Sequence, residues 1–175
     1  LCDDFFIGDW SFDDYTIPII KASTGSKRKC LFPYDAYGKL IPFEVLTKNY
    51  SIKYHYEIHE DKLKSRSLES NSAWYGFGRS QGINDIYKKK YAINSLIRNA
   101  GDIKLSFCEP GTGVYSGLYI LTDSDIDELE SILFTDDFIS YIVMLGKYKS
   151  GGYFTYSSKD LQRYLNYKFS ERKGY

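Results

Sequence analysis

The chain has 175 residues, of which 43% are hydrophobic and 26% charged, a composition that is typical of one globular domain and excludes a disordered chain. Its 23 Lys and Arg balance its 23 Asp and Glu, so the net charge gives no support to nucleic-acid binding, for which a basic domain is expected. No apolar run approaches the roughly 20 residues of a membrane span, and three widely spaced cysteines, Cys2, Cys30 and Cys108, argue against a disulfide framework or a zinc knuckle, which predicts a cytoplasmic protein.

The first third of the chain carries the pattern of an antiparallel sheet followed by a helix. Strands are predicted at 5–8, 15–22 and 29–33, with a turn at 23–26. A helix is predicted over most of 42–66. Its apolar residues recur at a spacing near 3.6 and are expected to face the core: Tyr50, Tyr54, Ile58 and Leu63. Its charged residues are expected to face solvent: Glu60, Asp61, Lys62 and Lys64.

The rest of the chain places strands before helices. The predicted strands are 91–93, 103–108 and 114–121, with a turn at 110–113. The predicted helices are 122–134, 136–145 and 159–167. Their expected capping residues are Ser124 with Asp127, Thr135, and Ser157 with Asp160. The sequence therefore predicts an α+β fold, a single mixed domain of mostly antiparallel strands with several helices concentrated in the C-terminal third.

Two segments that combine glycines with aromatic residues carry the functional signal. The first, WYGFGRSQGIN at 74–84, holds Arg79 and Gln81, whose paired donors and acceptors suit the edges of guanine and adenine. The second, GKYKSGGYF at 146–154, joins lysines to adjacent glycines, which let a backbone approach a phosphate strand. Both segments are predicted to be nucleic-acid contact loops.

Charge is distributed unevenly along the chain although its sum is zero. Acidic residues gather over 3–14 and 123–137. Basic clusters lie at 27–29, at 88–90, and at Lys147 with Lys149. This asymmetry predicts one basic face turned toward phosphates.

Four pieces of sequence, taken in order, point to a family. They are DFFIG at 4–8, IPIIKA at 17–22 with CLFPY at 30–34, the segment at 74–84, and YKSGGYFTY at 148–156. Over nearly its whole length the chain resembles the TaqI-like C-terminal specificity domain of type II adenine-specific DNA methyltransferases. The resemblance implies that 1–175 is a DNA target recognition domain of a bacterial restriction-modification protein, a fragment whose catalytic domain lies N-terminal and is absent.

The same resemblance implies the partners and cofactors. The domain would read a short site in double-stranded DNA and hold the duplex while the catalytic methyltransferase domain of the same polypeptide methylates adenine. S-adenosylmethionine would belong to that parent enzyme, with no cofactor in this chain and no membrane contact.

Particular residues are assigned to this role. Arg79 and Gln81 are the candidates for base edges, and Ser80 can bond a base or a phosphate. Trp74 and Tyr75 would stack against DNA or, for Trp74, anchor the loop in the core. The candidate phosphate contacts are Lys88, Lys89, Lys90, Lys147, Lys149, Ser150, the amides of Gly151 and Gly152, and Tyr153 beside them. Domains that read different sites cannot share all their reading residues, so base reading is also expected at 21–29 and 104–116.

The sequence offers no catalytic motif of its own. The cofactor loop and the Asn/Asp-Pro-Pro-Tyr/Phe motif of such methyltransferases have no counterpart here, and Gly76, Gly78 and Gly82 follow a polar linker rather than a strand. Glu60 and Lys62 match half of a nuclease signature, but in a predicted helix. His55 and His59, four residues apart, would need a further ligand to hold a metal.

Two alternatives remain open at this point. One is a domain of a type I restriction specificity subunit, which normally brings long coiled-coil spacers, and no sustained heptad pattern occurs here. The other is a module that binds protein instead of DNA through its aromatic surface, which the balanced net charge favours.

Overall fold

The computed structural model describes residues 4–68, 72–78 and 82–172. Its strands are β1 Ile7–Gly8, β2 Thr16–Lys21, β3 Ser26–Leu31, β4 Lys90–Ile93, β5 Leu96–Ile97, β6 Leu105–Cys108, β7 Gly113–Tyr115, β8 Leu118–Ile120, β9 Tyr148–Lys149 and β10 Tyr153–Thr155. Its helices are α1 Phe43–Leu46, α2 Tyr50–Lys64, α3 Ile126–Leu133, α4 Asp136–Met144 and α5 Ser158–Arg172. The predicted α+β class with mostly antiparallel strands is confirmed.

The strands form three small sheets, in the orders β1-β3-β2-β7, β6-β4-β8 and β5-β10-β9. By its internal contacts the chain divides into two compact units. Unit 1 comprises the described residues within 1–19, 27–88 and 110–113. Unit 2 takes those of 20–26, 89–109 and 114–175. No helix in the described part of the chain is long and apolar enough to cross a membrane.

The predicted helix over 42–66 is two helices, because residues 47–49 interrupt it. Asn49 has an extended backbone, and its side-chain oxygen accepts hydrogen bonds from the amides of Ser51 and Ile52, so it caps the start of α2. Asn is among the residues best suited to this position, because its short side chain reaches the first free amides of a helix. The cap therefore starts a new helix at residue 50.

The buried face of α2 differs from the predicted one. Ile52, Tyr56 and Leu63 are fully buried, whereas Tyr50, Tyr54 and Ile58 are 78%, 55% and 54% exposed. Of the predicted stripe only Leu63 lies in the core. Both sets recur near the helical period, so periodicity could not choose between them. Tyr56 decides the choice, since its ring packs on Phe43 and its hydroxyl donates to the carbonyl of Tyr75 at 2.9 Å.

Unit 2 is built around one apolar core. Tyr91 and Ile93 of β4 contribute to it together with residues of α3, α4 and α5, including Leu129, Phe138 and Leu161. The predicted caps of α4 and α5 are confirmed: Thr135 accepts from the amide of Phe138, and Ser157 and Asp160 bond to each other's amides. The cap of α3 is Asp125 rather than Ser124, since its carboxylate accepts from the amide of Glu128 at 2.8 Å.

The predicted strand at 114–121 is broken in the structure into β7 and β8. Ser116 between them has φ 52°, a left-handed backbone that a continuous strand cannot contain. The next residue, Gly117, fits against other backbone, because a Cβ placed there would lie 2.5 Å from the Cβ of Ala22 and 2.6 Å from the carbonyl oxygen of Ile93. The chain therefore turns at a position that only glycine can occupy.

Candidate nucleic-acid interface

The segment at 146–154 forms a hairpin of β9 and β10 in unit 2. Lys149 pairs with Tyr153 across it, and the connection is the exposed turn Ser150–Gly152. Gly151 and Gly152 have φ 74° and 75°, the left-handed region that glycine adopts without strain. A Cβ on Gly152 would meet nothing within 4 Å, so backbone conformation rather than crowding requires glycine there. The turn presents its backbone to solvent beside an exposed lysine.

A third strand places an arginine beside this hairpin. β5 pairs with β10 so that Phe154 lies opposite Ile97, which puts Arg98 next to Tyr153. The guanidinium of Arg98 lies 4.6 Å from the centre of the Tyr153 ring. Cross-strand neighbours share a face of a sheet, so Arg98, directly after β5, forms one row with Tyr153 of β10 and Lys149 of β9. We call these three residues the cation–tyrosine row.

The arginine of this row is held in place by Asp102. The backbone amide and Nε of Arg98 both donate to Oδ2 of Asp102, at 2.9 and 3.1 Å. These hydrogen bonds raise the pKa of Arg98 and lower the pKa of Asp102. The guanidinium is therefore charged and oriented, while Lys149 has no ion pair with another described residue. The row has two cations against one partner carboxylate.

Lys147, a predicted phosphate contact, has a structural partner instead. Its ammonium lies 2.5 Å from Oδ2 of Asp160, whose side chain is only 11% exposed. The same oxygen accepts from the amide and hydroxyl of Ser157, at 2.8 and 2.6 Å. These contacts lower the pKa of Asp160 to about 2, with the hydrogen bond from Lys147 as the largest cause. Lys147 thus supports the start of α5 and stands outside the cation–tyrosine row.

This cap gives a pH-dependent contribution to stability. The folded-state pKa of Asp160, about 2, lies below the ordinary 3.8, so folding favours the carboxylate. Its stabilisation is complete above about pH 4 and is lost as the pH falls toward about 2. We expect Asp160→Asn to lower the free energy of unfolding by about 1 to 2 kcal/mol at pH 7 and by much less at about pH 2.5. Urea unfolding at both pH values checks this, with the exposed Asp61→Asn as control; an equal loss at both pH values would contradict it.

The three consecutive lysines at 88–90 do not form the predicted basic cluster. Lys88 pairs with Asp85 at 2.7 Å in unit 1. Lys89, in unit 2, donates to the carbonyls of Asp123 and Ser124 at 2.9 and 3.1 Å. Lys90 is 2% exposed within β4, the central strand of its sheet, all of whose residues are buried. The structure therefore removes Lys90 from the solvent-facing lysines and gives the other two local partners.

The segment at 74–84 is anchored in unit 1 by its first residues. Trp74 and Tyr75 are half-buried, and their rings pack on Phe43 at 5.1 Å each. Arg66 donates to the carbonyls of Trp74 and Gly76 at 2.7 and 2.8 Å. These contacts favour the anchoring role predicted for Trp74 over a stacking role on DNA.

The predicted base-reading residues follow this anchor. Arg79, Ser80 and Gln81 lie outside the described residues. After them Gly82 has φ 87° and begins a short 3-10 helix, Ile83–Asp85. Trp74 and Tyr75 therefore pack before these three residues, and Ile83 is buried after them.

The other chemistry considered from the sequence has weak geometric support. His55 and His59 face each other with ring centres 4.7 Å apart, and burial lowers the pKa of His55 to about 4. No group of three or more His, Cys, Asp and Glu suited to a metal occurs in the described ranges. Glu60 of the partial nuclease signature lies on α2 and pairs with Lys64 one turn away. In the structure the two histidines contact each other, and Glu60 is paired within the same helix.

Arg98 is the site residue that the sequence prediction missed. Arg98 directly follows β5, which has only two residues, too few for a visible alternation. Arg98 and Asp102 are four residues apart, a local hint of pairing, but the contact with Tyr153 joins positions 55 residues apart. Only the pairing of β5 with β10 brings these two together.

The geometry thus gives an exposed row of cations with a tyrosine in unit 2 and, in unit 1, the packed residues Trp74 and Tyr75. No protein-family model matches the chain, and no curated protein sequence matches it.

Proposed function

We propose that this chain is the DNA target recognition domain of a type II restriction-modification adenine methyltransferase. It binds duplex DNA and holds it for methylation by a separate catalytic domain that uses S-adenosylmethionine. A cytoplasmic location belongs to the same proposal. The observation that carries the DNA-binding part is the cation–tyrosine row beside the exposed turn Ser150–Gly152.

The row has the chemistry that a phosphate strand requires. Arg98 offers a planar fork of donors, and Lys149 offers a mobile point charge. Ser150 and the amides at Gly151 and Gly152 add uncharged donors of the kind that often contact phosphates. Because the glycines carry no side chain, a sugar-phosphate strand can approach the turn closely. Such contacts position a duplex without reading its sequence.

Base reading is assigned to residues 79–81, together with the regions 21–29 and 104–116. Arg79 and Gln81 have the paired donors and acceptors that read guanine and adenine in the major groove. Trp74 and Tyr75, which precede them in the chain, pack on Phe43. Packed neighbours of this kind suit base reading, because side chains that contact the edges of nucleobases must be held in position.

Arg79→Ala tests the assignment of base reading. If Arg79 makes a bidentate base contact, the variant loses about 1 to 3 kcal/mol of affinity for the recognised site. Its affinity for unrelated duplexes falls much less, since those are bound through phosphates. Fluorescence anisotropy with a panel of duplexes measures both, and Arg163→Ala, an exposed arginine of α5, is the matched control. Unchanged affinity for every duplex would remove Arg79 from the site.

A second candidate function is protein binding, which the exposed stripe of α2 favours. Tyr50, Tyr54 and Ile58 lie one turn apart and are each more than half exposed. Exposed apolar residues in a continuous row are a common mark of an interaction surface. Binding to a protein through this stripe would change little with salt, whereas binding to DNA falls steeply as salt rises. Salt dependence therefore separates the two functions.

A further inference from the structure

A second basic feature lies in unit 1, apart from the cation–tyrosine row, and includes the end of the region 21–29. An open groove of about 360 Å³ is lined by Gly8, Asp9, Trp10, Lys27, Arg28 and Lys29. Its volume falls in the range of sites that bind small ligands. Three of its six residues are cations and one is an anion, so the groove has a positive balance.

Strand pairing explains why this groove is open. β1 pairs with β3 over two positions, Ile7 with Cys30 and Gly8 with Lys29. Beyond Gly8 the strand ends, so β1 covers neither Lys27 nor Arg28 of β3. Trp10 remains close, with its indole nitrogen donating to the carbonyl of Phe6 at 3.2 Å. The groove therefore has a backbone edge, an indole and two cations that β1 leaves uncovered.

The carboxylates near this groove are weak partners of its cations. Arg28 lies 3.8 Å from Asp9, whose side chain is 97% exposed. Lys29 lies 2.6 Å from Asp13, whose side chain is 93% exposed. Exposed ion pairs contribute from nothing to about 1 kcal/mol, because water screens them and the side chains lose freedom. Lys27 has no ion pair with another described residue. A phosphate group that contacts two of these cations at once can therefore displace the carboxylates.

We propose that this groove binds a phosphodiester group of the DNA backbone, and that Asp9 and Asp13 occupy the cations until DNA displaces them. The inference rests on the proposed DNA-binding function and adds a phosphate contact separate from the cation–tyrosine row. Arg28 supplies a fork that matches two phosphate oxygens, and Lys27 supplies a second charge. The two aspartates act as competitors, so they lower the affinity for DNA.

Neutral variants of each charge test the groove. Lys27→Gln with Arg28→Gln is expected to lower the slope of log affinity against log salt by one to two, since about 0.9 is lost for each phosphate contact. Asp9→Asn with Asp13→Asn is expected to raise DNA affinity about twofold or more at low salt, because the competing carboxylates are removed. Lys62→Gln and Asp61→Asn, exposed neighbours on α2, are the matched controls and leave both values unchanged.

Trp10 supplies a local readout. The chain has two tryptophans, so Trp74→Phe leaves Trp10 as its only indole. Mixed-sequence duplex DNA is expected to change the fluorescence emission of Trp10 in this variant. The change is expected to be lost when Lys27→Gln and Arg28→Gln are added. If Lys27→Gln with Arg28→Gln leaves DNA binding intact while Arg98→Gln with Lys149→Gln weakens it, the groove does not bind DNA. The proposed function then stands without it. If the unaltered chain does not bind DNA at low salt, both are overturned.

Discussion

The double variant Arg98→Gln, Lys149→Gln is expected to bind duplex DNA more weakly and with less dependence on salt. It removes both cations of the cation–tyrosine row. Tyr153 lies between these two cations. Two phosphate contacts account for about 1.8 units of slope in log affinity against log salt. Between about 50 and 200 mM salt, the unaltered chain should therefore lose about tenfold more affinity than the variant. Fluorescence anisotropy across that range measures the difference.

A matched pair of charges elsewhere in unit 2 serves as the control. Lys159 and Arg163 are exposed on α5 and have no ion pair with another described residue. Lys159→Gln with Arg163→Gln changes the net charge by the same two units, so it measures the effect of charge alone. If both double variants reduce the slope equally, the row has no special part in binding.

Gly117→Ala is expected to destabilise the protein by about 3 kcal/mol, a large effect for the addition of one methyl group. The new Cβ would lie 2.5 Å from the Cβ of Ala22 and 2.6 Å from the carbonyl oxygen of Ile93. No rotamer change can relieve these contacts, because each involves backbone or a Cβ fixed to it. Relief requires movement of β4 or of the turn that contains Ala22, and both belong to the packed interior of unit 2.

Gly152→Ala separates crowding from backbone strain in this comparison. Gly152 has φ 75°, and a Cβ there meets nothing within 4 Å. Its replacement is expected to cost about 1 kcal/mol through the left-handed backbone alone. Urea unfolding gives both values, provided that the slope with denaturant is unchanged. If Gly117→Ala lowers the free energy of unfolding by no more than Gly152→Ala does, the close approach of Ala22 and Ile93 to Gly117 is contradicted.

The sequence predicted best the features that depend on neighbouring residues. The caps formed by Thr135 and by Ser157 with Asp160 are local hydrogen bonds, so the residue types alone reveal them. At α3 the sequence predicted Ser124 as the cap, whereas the structure has Asp125, which shows the limit of this reasoning. Both residue types favour the position, and in the structure Asp125 occupies it.

Features that depend on distant residues escaped prediction. On α2 two apolar stripes compete, and the contacts of Tyr56 with Phe43 and Tyr75 select the one containing Ile52 and Tyr56. The break between β7 and β8 depends on Ala22 and Ile93, which approach Gly117 from other parts of the chain. The pattern of apolar residues within one segment reveals neither of these contacts with distant residues.

In the candidate site, too, the sequence predicted local features and missed those that depend on distant residues. The glycines of the hairpin indicated a turn with an exposed backbone, and the structure has one at Ser150–Gly152. The lysine clusters were less informative, because charge in the sequence does not reveal whether Asp160 will hold Lys147 or whether a strand will turn Lys90 inward. Arg98 joined the site only through the pairing of β5 with β10.

The most direct measurement is the affinity of the 175-residue chain for mixed-sequence duplex DNA at about 50 and 200 mM salt, beside a control protein of equal net charge. The proposed function predicts binding stronger than the control at the lower salt and a fall in affinity of tenfold or more at the higher salt. Binding no stronger than the control at the lower salt would contradict DNA recognition, and it would direct attention to the exposed stripe of α2 as a protein-binding surface.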